Sequence, residues 1–292
     1  MRIRLDISNP FGLDVTLCCG QVFRWEKRGV WWYGVVGEKV FKVRQIGDEL
    51  EFENVDECFI RNYFGLNDDL PRIFSLISKD AHIKSAIKAL KGLRIIRQNP
   101  WECLISYICA TNKNISAIRQ MLFNISRKFG KAIHFDNYTF YAFPAPEQLV
   151  KATAEELASC GLGYRAKYVF ETAKNIHESG FELENLRRMP YEKTRKELLK
   201  FLGVGLKVAD CVLFFSLEKF EAFPVDVWIK RAILRHYAEH FPKEFIAKIS
   251  SRKSLSPAEY RQLNLFGRKY FGEYAGYAQE YLYHYERVSA TR

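Results

Sequence analysis

The sequence predicts an α+β protein: an N-terminal antiparallel sheet domain followed by two mostly helical lobes. Hydrophobic residues alternate with period two from Arg2 to about Val55, where Val, Phe, Trp and Tyr are enriched. After Asp56 the spacing turns helical and stays so to the end, with room for roughly ten helices. A chain of 292 residues, 48% of them hydrophobic, can form more than one core, so a sheet domain with a trailing helix over 1–80 and a helical region over 81–292 are expected.

Within the sheet domain, turn signals stand at Lys27-Arg28-Gly29, Gly37 and Gly47-Asp48. In the helical region Asn99, Thr153 and Ser256 each precede a glutamate by three residues (Glu102, Glu156, Glu259), the pattern of a helix start. The stretch from Asp136 to Pro146 reads as a connection between helical lobes. No internal repeat and no low-complexity tract interrupts the chain.

The balance of 45 Lys+Arg against 34 Asp+Glu leaves a formal charge of +11, which favours a polyanionic partner, nucleic acid ahead of a membrane surface. Seven cysteines are scattered with no repeated metal-ligand spacing and read as reduced, buried thiols. The N-terminus carries no cleavable signal, and no run approaches the roughly 20 apolar residues of a membrane span. An intracellular protein of the cytoplasm or nucleoid, with no membrane partner, is expected.

The most informative stretch begins at Pro190. Pro190 to Phe201 reads as one helix and Leu206 to Leu217 as a second, joined by Leu202-Gly203-Val204-Gly205. Gly203 and Gly205 let the backbone approach a phosphate, and the second helix aims unpaired N–H groups and its positive dipole end at the same point. Such a turn grips a DNA strand without reading its sequence. An isolated Gly-Val-Gly is more often a plain helix connection, so the neighbouring residues decide.

Lys207 falls in the first turn of the second helix, flanked by Leu206, Val208 and Ala209, a setting that suits a nucleophilic amine. An amine that attacks a sugar C1′ displaces the base and leaves a Schiff base, from which the 3′ phosphate can be eliminated. Asp226 stands where an apolar approach, Phe223-Pro224-Val225, gives way to a helix, so its default role is the N-cap. The same carboxylate could stabilise positive charge on a sugar whose glycosidic bond is breaking.

The run Phe201-Leu202-Gly203-Val204-Gly205-Leu206-Lys207-Val208-Ala209-Asp210-Cys211, followed by Pro224-Val225-Asp226, closely resembles the helix-hairpin-helix (HhH-GPD) glycosylase superfamily. Further segments resemble its 8-oxoguanine DNA glycosylase/AP lyase branch: Gly20-Gln21-Val22-Phe23-Arg24-Trp25, Arg97 to Cys103, Cys109 to Asn114, and Gly161 to Lys167. The resemblance spans nearly the whole chain. It implies a sheet domain of the TATA-binding-protein type, a helix-hairpin-helix at about 190–217, and duplex DNA containing 8-oxoguanine as partner of a monomer.

By that resemblance Lys207 is the Schiff-base nucleophile and Asp226 the catalytic acid residue. Gly20 supplies a carbonyl for the N7 proton that distinguishes the oxidised base, and Cys211, Gln279 and Tyr283 complete the base pocket. Gln279 and Tyr283, four apart on a helix, share one face. Asn112 is expected to enter the emptied duplex, Tyr164 and Arg165 to touch the stack and the orphaned base, and Gly203, Gly205 and Trp228 to lie along the DNA. No metal or cofactor is required, though the turn at Leu202–Gly205 has room for a monovalent cation on backbone carbonyls.

Three residues depart from the eukaryotic pattern. Ala117 stands for an arginine that reads an opposite cytosine, Trp228 for a histidine, and Tyr283 for a phenylalanine. The first suggests relaxed opposite-base selectivity. Rival readings are a glycosylase with a terminal iron-sulfur cluster, an alkylpurine glycosylase, and a noncatalytic DNA-binding module. No cysteine follows Cys211, which argues against the cluster, and Lys207 argues against the alkylpurine enzyme, while a binding module predicts DNA binding that survives loss of Lys207 and no base release.

Overall fold

The computed structural model describes residues 1–290. Five strands, β1 (Arg2–Arg4), β2 (Trp25–Arg28), β3 (Trp31–Val36), β4 (Lys39–Ile46) and β5 (Glu49–Glu53), form an antiparallel sheet in the order β1-β5-β4-β3-β2. The three turn signals fall where expected, as two-residue links between β2, β3, β4 and β5. A short helix, α1 (Leu13–Cys18), interrupts the period-two stretch and delivers the chain to Gly20.

One face of the sheet packs Trp25, Trp32, Phe41 and Val43 over Tyr63 and Phe64. The other face is covered as well, because the stretch read as a plain connection folds into a hairpin, β6 (Ala132–Phe135) and β7 (Tyr138–Tyr141). Phe140 stacks on Tyr33 with ring centroids 5.8 Å apart, and Asp136 accepts from Tyr33 Oη at 2.5 Å and from Lys42 Nζ at 2.9 Å. The interior strand β3 is therefore buried on consecutive residues rather than on alternate ones.

The helical part forms one continuous core. The helices that build the site are α2 (Ala81–Ala89), α3 (Pro100–Cys109), α4 (Ile115–Phe129), α5 (Arg165–Ser179), α6 (Tyr191–Leu198), α7 (Leu206–Ser216), α8 (Val227–His236), α9 (Pro257–Phe271) and α10 (Ala275–Ser289). Thr153 and Ser256 make reciprocal capping boxes with Glu156 and Glu259. At Asn99 only half the box forms: its side chain accepts from Glu102 N at 3.1 Å, while the Glu102 carboxylate turns to Arg24 at 3.0 Å.

All seven cysteines are free. Five are buried, as the sequence suggested, but Cys18 and Cys58 are exposed. Among the described residues, no helix is long and apolar enough to cross a membrane.

Candidate active site

The first helix of the glycine hairpin is shorter than its sequence pattern. α6 ends at Leu198, and Leu199 to Gly205 form a chain of turns in which Phe201 N donates to Leu198 O and Val204 N to Phe201 O, both at 3.1–3.2 Å. Gly203 lies at φ +84°, and a Cβ there would sit 2.5 Å from the Tyr168 ring. Its glycine is demanded by the fold. Gly205, at the N-cap of α7, has ordinary backbone angles and open space where a Cβ would be, and no side chain caps the helix. The N–H groups of α7 are thus presented to whatever approaches the turn.

One buried carboxylate fixes this hairpin. Asp210, three residues after Lys207, accepts from Tyr191 Oη (2.6 Å) and Arg195 (3.0 Å) on α6, and from Tyr260 Oη (2.6 Å) and Asn264 (3.1 Å) on α9. Burial pushes the Asp210 carboxyl up to about 6 against the pull of Arg195 and the two phenols. Tyr260 Oη also accepts from Val225 N at 3.2 Å, and Asn264 donates to Phe223 O at 2.9 Å. The network that holds the Lys207 helix therefore also holds the segment leading into Asp226.

Asp226 caps α8, its Oδ1 accepting from Trp228 N and Ile229 N at 2.9 Å. Burial raises its carboxyl, while the Ile229 N–H, Lys207 and the Trp228 N–H act in the opposite direction. Lys207 Nζ lies 5.3 Å from the centroid of the Tyr107 ring, which stacks on Phe215 at 5.5 Å.

These groups meet in a cavity of about 380 Å³ whose wall includes Gly20, Lys207, Cys211, Asp226, Gln279 and Tyr283. Trp228, Phe23, Tyr107 and Phe215 extend the wall. It is large enough for a flat heterocycle, for which Phe23, Tyr107, Phe215, Trp228 and Tyr283 offer aromatic surface. Gly20 is at φ +106°, and a Cβ there would come within 2.9 Å of Arg287 and 3.3 Å of the Tyr283 hydroxyl. The adjacent Gln21 anchors this loop: its amide donates to Thr16 O and Arg94 O, and its oxygen accepts from Ile96 N. Gln279 is 4% exposed with an unpartnered carbonyl oxygen, as expected of an amide awaiting a ligand. Burial pushes the Cys211 thiol up to about 12, so it contributes a neutral, polarizable surface.

Of the residues expected along the DNA, Trp228 joins the cavity wall and the others lie outside it. Asn112 is exposed at φ +54° in the link between α3 and α4. Tyr164 is 56% exposed and meets Tyr168 edge-on at 5.6 Å, so Tyr164, Tyr168 and Gly203 form a continuous row. Ala117, half-buried in the first turn of α4, gives its N–H to the Asn114 cap at 2.9 Å. Arg165 departs from expectation: it is 3% exposed, donates to Thr111 O and Leu162 O, and lies under the Tyr164 ring at 4.4 Å. It is not presented to DNA, and instead ties α5 to the loop carrying Asn112.

Sequence reasoning passed over Glu280 and Arg287 in the cavity wall, and Asp210 behind it. A charged residue on a helix is by default solvated, and only the packing reveals otherwise. His82, His236 and Glu286 also lie together, ligand atoms within 4.8 Å of one another. The two imidazoles are stacked 3.6 Å apart, so their lone pairs run side by side instead of converging, and Arg235 already holds Glu286 at 2.9 Å. That arrangement suits a cation poorly.

Comparison with known proteins matches residues 2–104 to the 8-oxoguanine DNA glycosylase N-terminal domain and residues 105–254 to the HhH-GPD superfamily of base excision DNA repair proteins. An N-glycosylase/DNA lyase of Saccharomyces cerevisiae is 33% identical over 80% of this chain and 69% of its own. The 8-oxoguanine glycosylase/lyase of Clostridium acetobutylicum, solved with duplex DNA containing cytosine opposite 8-oxoguanine, is 34% identical with a TM-score of 0.86, over 96% of this chain and 93% of that one. MBOgg1, solved with a low-affinity DNA ligand, is 33% identical with a TM-score of 0.88, over 99% and 96%. The chain belongs to the 8-oxoguanine DNA glycosylase branch of the HhH-GPD superfamily.

Proposed function

We infer that this protein is a bifunctional DNA N-glycosylase and AP lyase that excises 8-oxoguanine from duplex DNA. The observation that carries the reading is the gathering of a lysine, a buried carboxylate and a cavity large enough for a purine beside a glycine hairpin with an open helix N-terminus. The hairpin holds a phosphate, and the damaged nucleotide turns out of the stack into the cavity. Lys207 Nζ attacks C1′ as the bond from C1′ to the base breaks, and the base leaves with the bonding electron pair and takes up a proton. The Asp226 carboxylate faces the positive charge that builds on the sugar. The lysine–sugar adduct opens to a Schiff base, loss of a C2′ proton follows, and the 3′ phosphate departs by β-elimination.

In this reading Gly20, Gln279, Cys211 and Tyr283 hold the base, Asn112 and Tyr164 occupy the gap in the duplex, and Trp228 lines the approach. A monovalent cation at the carbonyls of Leu202–Gly205 would reinforce the phosphate grip. One chain supplies both cavity and hairpin, so a monomer suffices, and the work lies wherever the cell keeps its DNA. With Ala117 in place of an arginine, the base opposite the lesion is read loosely.

The test is base release from duplexes carrying 8-oxoguanine opposite each of the four bases, beside undamaged and 3-methyladenine duplexes. Release of 8-oxoguanine with little dependence on the opposite base is expected. Release of the alkylated base alone would move the protein to the alkylpurine glycosylases, and tight binding without release would make it a binding module.

A further inference from the structure

Glu280 follows Gln279 on α10 and also reaches the cavity wall, although the family reading gives it no part. The residue is 2% exposed, and its Oε1 is shielded from solvent without a hydrogen-bond partner. This sets it apart from Asp210, whose carboxylate meets four donors, and from Asp226, which caps a helix. A buried acid at a cavity wall with one carboxyl oxygen unpartnered has hydrogen-bonding capacity left for a ligand.

The groups around Glu280 come from every element that packs on it. The Cys19 thiol, which hydrogen-bonds the Glu280 carboxyl and leaves Oε1 as its unpartnered oxygen, lies after α1, Tyr107 on α3, Cys211 on α7, Asp226 at the start of α8, and Tyr283 and Arg287 on α10 itself. Burial pushes the Glu280 carboxyl up to about 8, with the Asp226 charge acting the same way and Cys19 and Arg287 opposing. At neutral pH the group is thus a carboxylic acid, which has an O–H to donate as well as an oxygen to accept.

Gln279 and the Gly20 carbonyl read donor and acceptor positions on the base, but 8-oxoguanine also carries two carbonyl oxygens that require donors. We propose that Glu280 is a further base-reading residue, its carboxylic O–H donating a hydrogen bond to a carbonyl oxygen of the oxidised purine. The proposal rests on the functional reading above. It explains why an acid is buried at a position where a hydrophobic residue would pack at less cost, and it makes lesion binding dependent on a proton that leaves at lower pH than those of the Cys211 thiol and the Tyr283 hydroxyl.

The experiment compares wild type, Glu280→Gln and Glu280→Leu for binding of 8-oxoguanine duplex and of undamaged duplex, and for single-turnover excision, from about pH 6 to 9.5. Wild type is expected to lose lesion affinity as the pH rises through about 8, because the ionised group no longer donates and repels Asp226. Glu280→Gln keeps an N–H donor that does not titrate and should remove that pH dependence. Glu280→Leu should weaken lesion binding about tenfold at pH 7 while undamaged duplex binds as before. Identical pH profiles for wild type and Glu280→Gln, or wild-type lesion binding by Glu280→Leu, would overturn the proposal. Equal weakening of lesion and undamaged binding would reduce Glu280 to a structural part and overturn it too. Failure of the wild type itself to excise 8-oxoguanine would sink the functional reading instead, and this proposal with it.

Discussion

Asp226 serves the helix and the chemistry from one position. Its Oδ1 accepts from Trp228 N and Ile229 N, and its charge faces Lys207. Asparagine would retain the capping oxygen and discard the charge, which separates the two roles. Asp226→Asn should stay within about 1 kcal/mol of wild type in stability, yet slow base release about a hundred- to a thousandfold. Thermal melting and single-turnover excision check the pair, and an unaltered excision rate would leave the residue a cap alone. Lys207 and Asp226 were legible in the sequence because both sit at helix starts that glycine and proline mark locally. Glu280 was not, since its burial is made by α1, α3 and α7 closing over it from distant parts of the chain. Arg165 was misplaced for the related reason that resemblance gives a residue type and position in a motif, while a carbonyl at Thr111 decides where the guanidinium goes.

Between elements, the hairpin makes two glycines do different things. Gly203 stands in the left-handed region against the Tyr168 ring, and Gly205 opens onto space. Gly203→Ala is predicted to lower stability by about 1–3 kcal/mol through strain and overlap. Gly205→Ala should melt nearly as wild type and weaken binding of any duplex, damaged or not, because its methyl stands where a phosphate would lie. Melting curves and DNA titrations of both variants test this, and a stable Gly203→Ala would contradict it. Asp210 ties α6, α7 and α9 together, and Asp210→Ala leaves Arg195 buried beside two phenols without their acceptor. A loss of about 3–5 kcal/mol is expected in denaturant unfolding. Most elements were legible, including the three hairpin turns of the five-stranded sheet, because glycine and capping residues act locally. The β6–β7 hairpin was not, because Phe140 looks like an exposed loop aromatic until Tyr33 is found stacked beneath it.

Across the whole molecule, stability depends on pH through its buried acids. Glu280 stands at about 8 in the folded protein against 4.5 for an unburied glutamate. The folded state therefore binds this proton more tightly, and the resulting stability is full below about pH 4.5 and is lost as the pH rises through about 8. Asp210, at about 6, contributes with the same sign at lower pH. Wild type should lose a few kcal/mol relative to Glu280→Gln between about pH 5 and 9, as read by denaturant unfolding, and parallel pH curves would contradict the burial of a neutral acid. The net charge of +11 and the layout of sheet domain plus helical lobes were both available from the sequence. What packing adds is the joining of four distant stretches around one cavity, on which the functional account depends. The measurement that tests that account most directly is borohydride trapping on an 8-oxoguanine duplex, followed by peptide mapping of the adduct. Attachment at Lys207 that needs the lesion and vanishes in Lys207→Gln is the predicted result; an adduct on another amine, or base release with no trappable adduct, would contradict it.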